Sequence, residues 1–250
     1  MASENRWFSF DVPKYEIVDK DKFLYKYISF DSLLQMLTEE CIILVQTDYW
    51  EDVYENFILK ENYYSSNGKK INAEWLSRMF LGQCWTGKMS SDAMWRIYSP
   101  DKKGVRIRTR IGKIMEVLKS EESCFFGRVE YLPQAKIEKD LASLKGFIKK
   151  KQLSYLMLES QFIKRNSFSH ESEYRIIKMR EWSPKESVPI QKIAIDPFSF
   201  IENVYFDPRA DLSYVERCKN ILVKSFNYPI NSIKQSSLYS FEPLDFKLID

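Results

Sequence analysis

Short blocks of alternating apolar and polar residues, separated by helical spacing, set the first expectation for this chain. Phe23 to Ile28 (FLYKYI) reads as a strand. Phe30 to Glu40 then puts Leu33, Leu34 and Leu37 on one side of a helix capped by Ser29 or Asp31, and Cys41 to Gln46 (CIILVQ) reads as a buried strand. An acidic and aromatic loop, TDYWEDVYENF, follows, and after it a polar stretch whose Asn67-Gly68 marks a turn. Phe80 to Thr86 predicts a short strand and Asp92 to Tyr98 a helical turn. Gly104 to Ile111 predicts a strand with Val105, Ile107 and Thr109 on one face and Arg106, Arg108 and Arg110 on the other. From Ile137 to about Lys164 the spacing of Leu141, Leu144, Ile148, Leu156 and Phe162 predicts one long helix, softened at Gly146 and basic at Lys149, Lys150 and Lys151. Strands at Ile190 to Ile195 and Asn203 to Phe206, a helix from about Leu212 to Phe226 and a last strand near Ile230 to Lys234 complete the series. Strands interleaved with helices predict an α+β or mixed sheet, with no repeat and no evident linker. Residues 1–22 are read as an N-terminal extension and residues 23–250 as a single α+β domain.

The segment from Phe168 to Ile177 (FSHESEYRII) carries the densest chemistry. Read as a strand, it places Glu171, Glu173 and Arg175 on one face and Tyr174 and Ile176 on the other. Those charges either pair with one another as an ion network or hold a ligand.

Composition narrows the partners. Of 250 residues, 44% are hydrophobic and 29% charged, and the net charge is only +3, so any basic surface is local. The amino terminus has no basic and apolar leader, and no apolar run is long enough to span a membrane, which leads to the expectation of a cytoplasmic protein with no membrane partner. The four cysteines, Cys41, Cys84, Cys124 and Cys218, form no C-x-x-C pair and His170 is the sole histidine, so neither a disulfide framework nor a zinc site is expected. With seven glycines there is no G-x-G-x-x-G and no P-loop, and G-x-S-x-G is absent too. A bound nucleotide would have to be held by side chains.

The ordered set YKYIS (Tyr25 to Ser29), TDYWEDVYE (Thr47 to Glu55), CWT (Cys84 to Thr86), MWRIYSPDKKGVRI (Met94 to Ile107), VEYLP (Val129 to Pro133) and FSHESEYRI (Phe168 to Ile176) resembles the bacterial family called domain of unknown function 2971. Two departures stand out. Glu51, Asp52 and Val53 replace the family's usual asparagine, aspartate and proline, and the strand after Gly104 is richer in arginine. The opening YKYIS, helix and ILVQ are also similar to the first β-α-β of ADP-ribosyltransferase folds, including toxins that modify DNA.

That second resemblance implies a split β-sheet core with flanking helices, NAD as a substrate and no metal. It also implies a catalytic carboxylate, Glu173 or Glu171, that steadies a ribosyl cation as nicotinamide leaves. Lys26, Tyr27, Trp85, Trp95, Tyr98 and Arg175 become candidates for holding the dinucleotide. For the aromatics the plain alternative is core packing, and for Lys26 it is a solvated lysine on a strand edge. Asp52 and Glu55 either order their loop or join the site, and His170 either sits half-exposed beside Glu171 or moves a proton. Arg106, Arg108 and Arg110 are candidates for nucleic-acid contact, against a solvated face balanced by Glu116, Glu121 and Glu122.

Three readings follow. One is an NAD-using transferase or glycohydrolase, a toxin or phage-defence effector acting on nucleic acid or protein and held in check by a neutralising partner protein. A second is a non-catalytic nucleic-acid or protein-binding module of the same fold. A third is a metal-dependent nuclease built on Asp52, Glu55, Glu171 and Glu173, which lacks a D-x-n-E-x-K pattern.

Overall fold

The computed structural model describes residues 7–9, 19–52, 54–71, 76, 78–143, 150–180 and 189–247. Strand β1 (Trp7–Ser9) precedes β2 (Phe23–Ser29), helix α1 (Phe30–Glu39) and β3 (Cys41–Gln46). A small hairpin, β4 (Tyr63–Tyr64) and β5 (Lys70–Ile71), turns at Gly68, whose φ of 77° suits a residue without a side chain. Then come β6 (Phe80–Thr86), α2 (Asp92–Tyr98), β7 (Gly104–Arg110), α3 (Ile111–Leu118), β8 (Cys124–Arg128) and β9 (Glu130–Leu132). Helices α4 (Gln134–Ser143) and α5 (Lys150–Ser160) lead to β10 (Ile163–Arg165) and β11 (Glu173–Met179). The last elements are β12 (Ile190–Ala194), α6 (Pro197–Phe200), β13 (Asn203–Phe206), α7 (Leu212–Phe226) and β14 (Ile233–Gln235).

The expected α+β architecture is observed. Among the described residues, ten strands form one mixed sheet whose main path runs β1-β8-β11-β6-β2-β7-β13-β14, with β3 and β12 attached to one side of β6. That attachment makes a fork. β3 pairs with β6 at Gly82 and Leu81, whereas β2 pairs with it only through Tyr25 and Thr86. The stretch of β6 between those contacts, Gln83 to Trp85, has no ladder on that edge, so side chains close the gap.

One apolar core underlies both arms of the fork. Leu24 and Ile107 from one arm meet Trp85, Phe126, Tyr174 and Ile193 from the other, covered by Leu33 of α1, Ile114 of α3 and Leu222 of α7. Each such side chain stabilises the fold by about 1.5–3 kcal/mol when fully buried. Helix α1 starts where expected, with the Ser29 hydroxyl accepting from the Ser32 amide at 3.0 Å. On the opposite face, Ile58, Phe80, Met157, Phe162 and Ile177 form a second cluster that anchors the loop after β3.

Two expectations need correction. The long helix is interrupted: α5 ends at Ser160 and Ile163–Arg165 is a strand paired in parallel with β9, because backbone pairing with Glu130 to Leu132 overrides the helical spacing. Gly146 and Lys149 lie outside the described residues, as do the side chains of Lys150 and Lys151. The FSHESEYRII segment is not one strand either. Asn166–Glu171 is a 3-10 turn, Ser172 takes a left-handed φ of 48°, and the strand begins only at Glu173.

Candidate active site

Along β11, Glu173 and Arg175 point to one face while Tyr174 and Ile176 enter the core, as the alternation predicted. Glu171 reaches the same place by another route. The 3-10 turn and the left-handed Ser172 swing its carboxylate back beside Glu173, and both form ion pairs with the ammonium of Lys164 on β10. Lys164 Nζ lies 2.6 Å from Glu171, 3.4 Å from Glu55 and 3.6 Å from Glu173. The Arg175 guanidinium, wholly buried, donates to Glu173 at 2.6 and 3.0 Å, to the Gln161 carbonyl at 2.6 Å and to Glu55. Its Cζ lies 4.3 Å from the centre of the Trp50 ring. Trp50 in turn packs against Gly82, where a Cβ would come within 2.6 Å of the indole.

The cluster therefore holds Glu55, Glu171 and Glu173 against Lys164 and Arg175, one negative charge in excess when all the acids are ionised. Burial pushes the Glu171 carboxyl above the usual carboxylate range, and the charge of Glu173 adds to that. For Glu173 burial acts the same way, but Arg175 and Lys164 outweigh it and hold its pKa below the usual value. The same carboxylates keep Lys164 and Arg175 protonated despite their burial.

Lys26 crosses the fork. Its ammonium donates to the Cys84 carbonyl at 2.9 Å, on the unladdered part of β6, and makes no ion pair among the described residues. Desolvation pushes its pKa down. The Cys84 thiol, enclosed beside Glu173, is pushed up to about 12 and stays protonated at neutral pH.

Two hollows with shared walls open onto this cluster. One, about 70 Å³, has Tyr25, Lys26, Tyr27, Trp85, Tyr98, Glu171 and Glu173 among its walls. The other, about 690 Å³, shares Lys26, Cys84, Tyr98, Glu171 and Glu173 with it and extends past Trp50, Asp52, Glu55, Phe168 and His170. Tyr98, at the end of α2, donates its hydroxyl to Glu171 at 3.3 Å and stands between the two.

The sequence candidates thus divide. Glu171, Glu173, Lys26, Tyr27, Trp85 and Tyr98 line one space. Arg175 sits behind them and braces Glu173 rather than facing the hollow. Trp95 is buried behind Tyr27, edge to face at 4.7 Å, and lines neither hollow. Lys26 is directed inward rather than solvated on an edge. Arg106, Arg108 and Arg110 do share a face, yet Glu202, not the glutamates near them in sequence, balances two of them: it pairs with Arg108 at 3.4 Å and Arg110 at 2.7 Å. Arg106 is only 3% exposed.

Asp52 orders its loop by accepting from the Tyr54 amide at 3.1 Å and also pairs with Arg165 at 2.6 Å. Glu55 joins the ion network outright. The places between the three glutamates are taken by an ammonium and a guanidinium, and among the described residues no group of His, Cys, Asp and Glu is arranged to hold a metal ion. Lys164 carried no sequence signal: it stands beside Arg165 at the end of a stretch read as helix.

Residues 94–176 match the family model described as a protein of unknown function (DUF2971), which takes in both the M-W-R-I-Y and E-S-E-Y-R-I motifs and bears out the resemblance over that stretch. No curated protein matches the chain in sequence. Among solved structures, the chain is similar to DarT of Thermus sp. 2.9 in complex with NAD+, with a TM-score of 0.40 and 12% identity over 87% of this chain and 96% of that one. The same protein in complex with carba-NAD+ gives 0.38 and 10% over 87% and 96%. Its complex with ADP-ribosylated ssDNA gives 0.36 and 12% over 83% and 90%.

Proposed function

We propose that this protein cleaves the bond between nicotinamide and ribose in NAD, passing ADP-ribose to a macromolecule or to water. The observation that supports this reading is the convergence of Glu171 and Glu173 with Lys26 and Tyr98 on the walls of one hollow at the fork of the sheet. Loss of nicotinamide leaves positive charge on the ribose, and an enclosed carboxylate cluster with surplus negative charge stabilises that charge without reorganising. Glu173, kept ionised by Arg175 and Lys164, supplies the fixed charge. Glu171, shared between Lys164 and the Tyr98 hydroxyl, is the carboxylate that a ribose hydroxyl reaches by displacing Tyr98. Lys26, without a carboxylate partner, faces the phosphates. Such an activity harms the cell that makes it unless restrained, so a neutralising partner and a role as a toxin or in phage defence belong to the proposal.

The test is incubation of the purified protein with NAD labelled on its adenylate part, with and without nucleic acid and cell extract. Release of nicotinamide by the wild type and a loss of roughly 10²–10³-fold in Glu171→Gln or Glu173→Gln are expected. A folded protein that consumes no NAD under any of these conditions would favour the binding module instead. The observation favouring that second reading is the Arg108 and Arg110 face, half-exposed and stacked on Phe23 at 4.1 and 4.3 Å. It expects salt-sensitive association with nucleic acid that Arg108→Ala and Arg110→Ala weaken.

A further inference from the structure

The carboxylate excess at the site depends on Glu55, and Glu55 stands in a turn whose other acid faces a different cation. The Glu55 amide donates to the Asp52 carbonyl at 2.9 Å, so the two residues are tied through the backbone. The Asp52 side chain is only 1% exposed, and Arg165 meets it fork to carboxylate: Nη2 lies 2.6 Å from Oδ1 and Nε 3.3 Å from Oδ2. Among the described residues no other cation pairs with Asp52.

Lys164 and Arg165 are consecutive on β10, and successive side chains of a strand take opposite faces. Lys164 turns to Glu55, Glu171 and Glu173, while Arg165 turns away from them to Asp52. The turn is therefore gripped from both faces of one strand, with Arg175 adding a second hold on Glu55. Arg165 is braced in its own right. Its Cζ lies 4.8 Å from the centre of the Tyr54 ring and 5.5 Å from that of Phe168, and its Nη1 donates to the Gln134 side chain of α4 at 3.4 Å. Asp52, Glu55 and Phe168 all wall the larger hollow, but Arg165 lines neither hollow, so it acts on a ligand there only through them.

We infer that Arg165 is a positioning residue, which holds the Asp52 turn against β10 and thereby keeps Glu55 in the carboxylate cluster. Without Glu55 the cluster has two acids, Glu171 and Glu173, against two bases, Lys164 and Arg175, and its surplus charge is gone. The kinetic consequence rests on the NAD-cleaving reading, whereas the tether itself does not. Under that reading Glu55 stabilises charge that develops only as nicotinamide leaves, so losing it lowers kcat rather than raising KM.

The test is amide hydrogen exchange of the full chain, followed at the Tyr54 and Glu55 amides, beside steady-state NAD turnover. In Arg165→Met those two amides, both bonded to Asp52, exchange roughly tenfold faster, as the loss of a charged hydrogen bond implies, while the amides of β11 keep wild-type protection. The kcat falls by roughly 10–10²-fold with KM little changed, and Arg165→Lys, which keeps the charge without the bidentate fork, gives intermediate values. Because Arg165→Met leaves a buried carboxylate unpaired, the double variant Arg165→Met with Asp52→Asn is measured as well. It is expected to match the single variant in exchange and in kcat; recovery to wild-type values would make Arg165 only a counter-charge for Asp52 and overturn the inference. Unchanged exchange at Tyr54 and Glu55, faster exchange spread through β11, or a rise in KM with kcat unchanged overturns it too. If the wild type consumes no NAD, the NAD-cleaving reading fails by itself, and the exchange rates still decide whether Arg165 holds the turn.

Discussion

At the scale of single residues, the two glutamates of the E-x-E pair have different neighbours and so different expected mutants. Glu171→Gln leaves Lys164 with Glu55 and Glu173, and it removes a like charge beside Glu173, so its melting temperature stays near that of the wild type. Glu173→Gln weakens the buried pair with Arg175 and is expected to destabilise the fold by up to about 3 kcal/mol. Melting curves run beside the NAD assay therefore separate lost chemistry from lost structure. Lys26 gives a prediction in pH. Its folded pKa lies below the ordinary lysine value of 10.5, so above that value both folded and unfolded chains are neutral there. As the pH falls, the unfolded chain takes up the proton first, and stability is lost until the folded pKa is passed. Lys26→Met removes this loss: it melts higher than the wild type at neutral pH, and the gap narrows as the pH approaches the ordinary lysine pKa. A gap that widens with rising pH would contradict the assignment.

At the scale of elements, the hinge between the 3-10 turn and β11 decides whether the carboxylates meet. Ser172 sits there in the left-handed region, where a side chain costs about 1 kcal/mol, a strain that glycine relieves while loosening the unfolded chain by a similar amount. Ser172→Gly is expected to melt close to the wild type, whereas the β-branched Ser172→Val loses about 2 kcal/mol and separates Glu171 from Glu173. Thermal melts of the two variants check this. The hinge also marks where the sequence stops being readable. FSHESEYRII alternates so regularly that Glu171 reads as part of the strand, and serine gives no warning of a positive φ as glycine or asparagine does. The strands FLYKYI, CIILVQ, FLGQCWT and NVYF were legible because each carries its own apolar face. Lys164 was not legible as a site residue, since it meets Glu55, Glu171 and Glu173 from a stretch that reads as helix; for Glu55 the sequence left loop ordering and the site both open, because its partner Arg175 lies far along the chain and no local pattern announces such a contact. Cys124–Arg128 escaped for another reason: Gly127 and two adjacent phenylalanines give it no alternation.

At the scale of the molecule, the ladder between the two arms of the sheet is almost absent, and what unites them is the apolar layer below. Residues 23–250 are accordingly expected to unfold as one cooperative unit. Trp85 reports on the arm containing β6 and β11, while Trp95 packs against Tyr27 of the other arm. Denaturant unfolding followed by tryptophan fluorescence in single-tryptophan-replaced variants and by far-ultraviolet circular dichroism should give coincident curves. Separate midpoints for the two reporters would show that the arms melt apart.

The opening between β2 and β6 has a further implication. A single bridge, Tyr25 to Thr86, joins the two strands, so the width of the gap is gauged by Lys26 and its neighbours rather than by a row of backbone hydrogen bonds. Exchanging those few side chains can recalibrate the aperture while every ladder on either side stays paired, which leaves ligand choice free to drift on a scaffold that need not change.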